Sequence, residues 1–306
     1  MLRALFIGLS ESKSLRHFAG SSSIGQKMSR RFVPGTTVEE IVQAAEAVNR
    51  LGIRVSVDNL GENITSRDEA LHSRDLYHQL LDEISKRKLD SNVSLKVTHM
   101  GLDIDEGLAC EIVNDLLAHA VSIGRFIRID MEGSPYTQRT IAFTRELHGR
   151  SSYQGHVGTV LQSYMRRTAD DAKLLCSQGI GIRLCKGAYK EPPEIAFQAK
   201  SEVDANYISV AKYLLKSGIF HGLATHDERI IQEIKEWARS EDISPTSFEF
   251  QMLYGIRRDL QEALVKEGWG MRVYIPLGTE WYPYLMRRLA ERPANLFFIA
   301  KNILRG

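Results

Sequence analysis

Short apolar runs alternate with longer amphipathic segments along most of this chain. The short runs are rich in residues typical of β-strands, and they cover 53–57, 93–97, 126–131, 156–161, 180–185, 222–225, 247–252 and 271–275. Segments with helical spacing of apolar residues, such as 172–176 and 230–237, lie between them. Strand–helix alternation predicts a parallel sheet, and eight such strands in one chain predict a closed (β/α)8 barrel.

The residues before this alternation have a different pattern. Residues 1–35 are typical of a helical arm that ends at a Pro-Gly turn signal. Capping-box spacings at residues 36–40 then start a helix near Val38, which is expected to run to Leu51. A length of 306 residues fits two domains, or one barrel with an extra arm. Because no Pro-, Gly- or Ser-rich linker interrupts the alternation, we expect an arm over 1–35 and one catalytic barrel over 36–306.

The first nine residues are short, apolar and free of acidic side chains. An amphipathic helix packed on the barrel is the simplest interpretation. A secretory h-region and an organelle transit peptide are the alternatives, although no small-residue cleavage site follows cleanly.

Composition and charge narrow the class of protein. The chain is 43% hydrophobic and 25% charged, as in an ordinary soluble globular protein, and its net charge is +2. A balance this close to neutral disfavours a nucleic-acid partner. The cysteines Cys110, Cys176 and Cys185 form no CxxC pair, which argues against a disulfide framework or a zinc site and indicates a reducing compartment. No apolar run reaches the roughly 18 residues that a membrane span needs.

Polar residues interrupt the apolar strands near their carboxyl ends, which is where barrel enzymes place their active sites. Buried charges and amides are costly unless they have partners. The interrupting residues are Lys96, Asp130, Gln162, Arg183 and Gln251. Each could be a strand-end group satisfied by water, but together they predict a pocket for a polar, partly anionic ligand. No GxGxxG follows a strand, so a Rossmann nucleotide site is poorly supported.

A helix is expected from about Pro283 until just before Pro293. One face of it carries Tyr284, Arg287, Arg288 and Glu291. This face is either solvated, with an internal Arg–Glu pair, or a paired-guanidinium site for a carboxylate or phosphate.

Taken together, these motifs resemble the proline dehydrogenase family, in its monofunctional bacterial form. The most specific pieces are Arg-x-x-Lys-Gly-Ala-Tyr at 183–189 and Tyr-x-x-Arg-Arg-x-x-Glu at 284–291. The other matching segments, in family order, are 60–62, 95–96, 129–132, 161–164, 224–226, 248–255 and 272–278.

The resemblance implies a distorted (β/α)8 TIM barrel that binds FAD without a Rossmann unit and carries its last helix over the carboxyl ends of the strands. It implies oxidation of L-proline to Δ1-pyrroline-5-carboxylate by hydride transfer from proline C5 to FAD N5. Electrons then pass to a membrane quinone. The chain has no room for the aldehyde dehydrogenase half of bifunctional relatives. A separate pyrroline-5-carboxylate dehydrogenase and a cytoplasmic location with peripheral membrane contact are therefore expected.

The resemblance also assigns roles by position. The proline carboxylate is expected to bind Lys96, Arg287 and Arg288, with Asp130 orienting these cations. The walls around the substrate ring are expected to be Tyr274, Tyr284, Leu253 and Ala188. The flavin is expected to contact Gln162, Arg183, Lys186, Gly187, Ala188, Thr225, His226 and Glu291. Arg183, Tyr274 and Asp130 are the expected catalytic residues, and Glu62 is expected to act as a gate by pairing with Arg287. No metal is expected.

Two other functions fit the same barrel. A Schiff-base aldolase would use Lys96 or Lys186 as its amine. A small-molecule sensor would use the paired arginines only to bind an amino acid. A yellow protein with flavin absorbance would reject the aldolase, and dye reduction driven by proline would reject the sensor.

Overall fold

The strands of the fold follow one another around a single sheet. A computed structural model describes residues 30–61 and 64–278. In this part of the chain the strands are β1 (Arg54–Asn59), β2 (Ser91–Leu95), β3 (Ile127–Ile129), β4 (Val157–Gln162), β5 (Gly181–Cys185), β6 (His221–Ala224), β7 (Phe248–Leu253) and β8 (Met271–Leu277).

In the described part of the chain, one helix precedes β1 and the others lie between consecutive strands. They are α1 (Val38–Asn49), α2 (Arg67–Lys86), α3 (Glu106–Ser122), α4 (Ser134–His148), α5 (Thr168–Cys176), α6 (Lys200–Leu215), α7 (Glu228–Ser240) and α8 (Arg258–Lys266). α1 begins where the sequence predicts, because Thr37 and Glu40 form a capping box. It ends at Asn49, two residues before the predicted end.

The strands pair in parallel in the order β1 to β8, and β8 pairs with β1 to close the barrel. Val57, for example, lies opposite Val93 on one side and Ile275 on the other. The predicted (β/α)8 barrel is therefore confirmed, and all eight apolar runs form strands. The predicted arm over 1–35 lies almost entirely outside the described residues, and the predicted last helix lies wholly outside them.

The apolar core lies between the sheet and the surrounding helices. Val55 and Val57 of β1 are fully buried there, as are Leu80 and Leu81 of α2. Because side chains alternate across a strand, the neighbouring residues Ser56 and Asp58 project into the barrel interior. The same alternation places polar residues inside the barrel from several other strands, namely the buried Ser94, Arg128, Arg183, Glu249 and Gln251 and the half-buried Arg272.

The barrel interior is thus mostly polar and charged rather than filled with Val, Ile and Leu. This arrangement brings functional groups together along the barrel axis. In the described residues, no helix is both long enough and apolar enough to cross a membrane.

Candidate active site

Arg183 of β5 lies at the centre of the barrel interior and is buried. Its Nε donates to Oε1 of Gln251 at 2.6 Å, and its Nη1 donates to Oδ1 of Asp130 at 2.7 Å. Its Nη2 donates to the hydroxyls of Ser56 at 3.1 Å and Ser94 at 3.0 Å. One side chain therefore connects four other strands or strand ends and is held in one orientation.

Asp130, which follows β3, joins this guanidinium to a phenol. The hydroxyl of Tyr274 on β8 donates to Oδ2 of Asp130 at 3.0 Å, and the guanidinium of Arg183 lies 5.3 Å from the ring centre of Tyr274. Burial raises the pKa of Asp130 above its ordinary value, while the charges of Arg183 and Lys96 oppose the rise. Burial, with the nearby charge of Asp130, also raises the pKa of Tyr274, so the phenol stays neutral and acts as a donor.

Lys96 follows β2 and points to a second buried carboxylate. Its Nζ lies 3.0 Å from Oδ2 of Asp58, whose side chain is 1% exposed. The hydroxyl of Tyr77 donates to the other oxygen of Asp58 at 3.2 Å and to the backbone carbonyl of Ser94 at 2.7 Å. Among the described residues, Asp58 holds Lys96, the cation assigned to the substrate carboxylate. Asp130, which the sequence assigned to orient that cation, contacts Arg183 and Tyr274.

Gln162 ends β4 and is buried beside the loop that follows β3. Its Nε2 donates to the backbone carbonyl of Glu132 at 2.9 Å. The carboxylate of Glu132 in turn accepts a hydrogen bond from the hydroxyl of Thr98 at 2.8 Å. These contacts connect the ends of β2, β3 and β4 and set the orientation of the Gln162 amide.

The residues assigned to the flavin on the other side of the barrel also lie near one another. Lys186, which follows β5, pairs with Asp204 of α6 at 2.6 Å and with Asp227 after β6 at 3.0 Å. Asp227 also donates its backbone N–H to the hydroxyl of Thr225 at 3.1 Å. Next to it, the His226 ring accepts the backbone N–H of Leu253 at 3.0 Å. The ends of β5, β6 and β7 are therefore connected by side chains that the sequence assigned to the site.

Gly187 allows the chain to turn sharply after β5. Its φ is +112°, and a Cβ at this position would lie 2.3 Å from the ring of Tyr164. An L side chain would therefore be strained and would also collide with that ring. Glycine is required here for packing, and this backbone leads directly into Ala188.

Several residues that matter to the site were not assigned roles from the sequence. Asp58, Ser56, Ser94 and Tyr77 hold Lys96 and Arg183. The position of Asp58 directly after the predicted strand 53–57 is the one signal that could have found any of them. The sequence-predicted residues Glu62, Tyr284, Arg287, Arg288 and Glu291 lie outside the described residues. The described part of the chain contains no cluster of three or more metal-ligating side chains.

Charges at the carboxyl ends of the strands are matched in pairs. Lys96 lies against Asp58, Arg183 against Asp130, and Lys186 against two carboxylates. A ligand carboxylate would therefore find no excess positive charge among these described groups.

Known proteins resemble this chain in sequence and in fold. A family model described as proline dehydrogenase matches residues 41–301. Proline dehydrogenase 1 of Bacillus subtilis strain 168 is 39% identical over 306 residues, the full length of both chains. The proline dehydrogenase of Deinococcus radiodurans is 39% identical over 282 residues, which cover 91% of each chain.

A solved structure shares the fold of this chain. Proline utilization A from Bdellovibrio bacteriovorus, inactivated by N-propargylglycine, matches with a TM-score of 0.81 and 26% identity. The match covers 87% of this chain and 32% of that larger one. Because the family model covers most of the chain and full-length relatives reach about 40% identity, this protein is an enzyme of the proline dehydrogenase family.

Proposed function

We propose that this enzyme oxidises L-proline to Δ1-pyrroline-5-carboxylate, with FAD as its cofactor and a membrane quinone as the final electron acceptor. The observation that carries the proposal is the buried group of Arg183, Asp130 and Tyr274, where a guanidinium, a carboxylate and a phenol meet in the barrel. Relatives named proline dehydrogenase support the substrate.

The donors at the strand ends fit a flavin. Arg183 has five N–H groups, and four of them have acceptors in the described part of the chain, so one on Nη1 remains for a ligand. FAD, when bound, supplies the acceptor for the substrate hydride. Arg183 and Gln162 would bind the polar edge of its ring, and the positive charge of Arg183 favours a site where negative charge develops. The other residues assigned to the cofactor are Lys186, Gly187, Ala188, Thr225, His226 and Glu291.

The substrate carboxylate would be bound by Arg287 and Arg288, with Lys96 as a third cation. A bidentate guanidinium fixes the direction of a carboxylate as well as its charge, which orients the ring of proline. Tyr274, Tyr284, Leu253 and Ala188 would enclose that ring. Glu62 would close the site by pairing with Arg287.

The amine of proline must lose its proton before C5 can give up a hydride, because an ammonium cannot donate electrons to the forming C=N bond. Bulk water is the proposed base. The same site disfavours a Schiff-base aldolase, because Lys96 and Lys186 both pair with carboxylates. Such partners stabilise the ammonium form, whereas a Schiff base forms from the neutral amine.

The proposal extends to the partners of the enzyme. A membrane quinone requires peripheral contact between this enzyme and the inner face of the cell membrane. The product would pass to a separate pyrroline-5-carboxylate dehydrogenase in the cytoplasm. A soluble quinone analogue should therefore support repeated turnover with proline, and quinone held in lipid vesicles should do the same.

A spectrum of the purified enzyme tests the cofactor and the substrate together. We expect a yellow protein whose flavin absorbance is bleached without oxygen by L-proline and returns when a quinone analogue is added. D-Proline and L-lactate serve as controls, because the first has the opposite configuration at Cα and the second lacks the amine and the ring. A protein that stays colourless after reconstitution with FAD would contradict the proposal.

Tyr274 is expected to set the preference for proline over hydroxyproline. Tyr274→Ser should reduce turnover of proline and narrow its advantage over hydroxyproline by about 10-fold, because the bulky ring leaves little space for an added hydroxyl. The measurement is kcat/KM for both substrates. Tyr274→Phe is the control, since it keeps the ring and loses only the hydroxyl that donates to Asp130. An unchanged ratio in Tyr274→Ser would remove this residue from the substrate wall.

A further inference from the structure

A cavity lies at the opposite end of the barrel from the candidate active site. It has a volume of about 320 Å³, and Arg183 and Gln251 from the barrel interior also line it. The other lining residues include Asn92, Arg128, Glu249 and Arg272, which lie near the amino ends of their strands. We refer to it as the amino-end cavity. None of the roles proposed above uses this space.

Arg128 is the unusual charge in this cavity. The residue is 6% exposed, and its Nη1 donates to the backbone carbonyls of Thr159 at 3.0 Å and Gly181 at 2.5 Å. Its Nε is buried without a hydrogen-bond partner, and no acidic side chain of the described residues forms an ion pair with it. Burial, with the nearby charge of Arg183, lowers the pKa of Arg128 to about 9. A buried guanidinium without a counter-charge is costly, so a ligand of opposite charge would be stabilised here.

The other charges around the amino-end cavity already have partners. Glu249 accepts from Arg272 Nε at 2.5 Å, from Arg54 Nη1 at 3.3 Å and from Gln251 Nε2 at 2.7 Å. Burial disfavours ionisation of Glu249, but Arg272 and Arg54 outweigh it and lower its pKa. Arg183 is matched by Asp130 on the side of the active site. The positive charge of Arg128 is therefore the one left unmatched in this set.

The position of Arg128 is built into the barrel. A Cβ on Gly158 would lie 2.2 Å from the backbone oxygen of Gly181 and 2.6 Å from Nη1 of Arg128, so only glycine fits between that strand and the guanidinium. The ring of Phe126 lies 4.6 Å from the guanidinium carbon. Glycine on one side and an aromatic ring on another hold the guanidinium in the cavity wall.

We propose that the amino-end cavity binds a small oxyanion, a single carboxylate or an inorganic phosphate, through Arg128. Guanidinium groups match the geometry of both anions. An amino acid zwitterion fits less well, because Glu249 already accepts three hydrogen bonds, two of them from arginines that match its charge. The ligand would neutralise Arg128 and stabilise the folded barrel from the end opposite to the active site.

Thermal melting of the FAD-loaded enzyme tests this site. Inorganic phosphate, titrated at constant ionic strength against sodium chloride, should raise the melting temperature by roughly 2–4 °C and then saturate. Saturation separates binding from the general stabilising effect of phosphate, which keeps rising with concentration. A parallel titration with acetate distinguishes a carboxylate ligand from an inorganic one. Absence of saturation with both anions would overturn the proposal.

Variants separate this cavity from other anion sites. Arg128→Met should lose the saturable response, while Arg139→Met, which changes a more exposed arginine of α4, should keep it. A response that persists in Arg128→Met would place the anion elsewhere, including the active site, and would overturn the proposal.

Asn92→Asp gives an independent test if Arg128→Met folds poorly. Asn92 lines the same cavity and accepts a hydrogen bond from Arg272 at 2.7 Å, so the variant places a fixed carboxylate there. It should melt at a higher temperature without phosphate and respond less when phosphate is added. A variant with the full response of the unmodified enzyme would contradict the assignment.

Discussion

Arg183→Met is expected to lower kcat for proline oxidation by about 10²–10³-fold, the usual effect of removing one preorganised charged donor from an active site. The loss has two physical sources. The variant removes the positive charge proposed to stabilise the reduced cofactor. It also leaves Asp130 buried beside Tyr274 without its cation, which disturbs both side chains. The rate of flavin bleaching after rapid mixing with L-proline measures the effect directly.

The comparison variant for this prediction is Arg183→Lys. A lysine keeps the charge but cannot reproduce a fork that reaches Gln251, Asp130, Ser56 and Ser94 at once. We expect an intermediate rate, and we expect both variants to bind less FAD. Rates are therefore compared per bound flavin. An Arg183→Met enzyme that contains FAD and is reduced at the unmodified rate would contradict the catalytic assignment of this residue.

The sequence predicted the fold well because the apolar residues repeat with the geometry of the barrel. All eight apolar runs form strands, but several of these strands begin or end at residues other than the predicted ones. β1 continues to Asn59, past the predicted end at Val57, because Asp58 and Asn59 still lie opposite Pro276 and Leu277 of β8. β3 is shorter than predicted and covers Ile127–Ile129. Hydrophobic patterning shows which side chains are buried, whereas strand ends depend on backbone pairing with neighbouring strands.

The candidate site could be predicted only as a set of residues, not as a set of contacts. Arg183 and Asp130 stood out because charge is rare in an apolar strand. Ser56 and Ser94 did not, since serine is common and carries no charge, although both hold Arg183. Arg183 and Ser56 are 127 residues apart in the chain, so only closure of the barrel brings them together. Contacts of this kind depend on the register between neighbouring strands, and a single sequence does not show that register.

Lys96→Met is expected to reduce the free energy of unfolding by about 3–5 kcal/mol, the cost of removing one partner from a buried ion pair. Asp58 would keep the hydrogen bond from the Tyr77 hydroxyl but lose the ammonium group that balances its charge, and its side chain is almost fully buried. The same variant should raise KM for L-proline by about 10–100-fold, because a charged hydrogen bond to the substrate carboxylate would be lost. Denaturant unfolding and steady-state kinetics measure the two effects separately.

Lys96→Met combined with Asp58→Asn separates stability from substrate binding. The amide at position 58 needs no cation, so the double variant should regain most of the lost stability. Its KM should stay high, because the side chain proposed to bind the carboxylate is still absent. Asp58→Asn alone controls for the change at position 58, because it keeps the Lys96 side chain proposed to bind substrate. If KM in the double variant returned to the value of Asp58→Asn, Lys96 would be a structural residue that holds Asp58, and the carboxylate would depend on Arg287 and Arg288 alone.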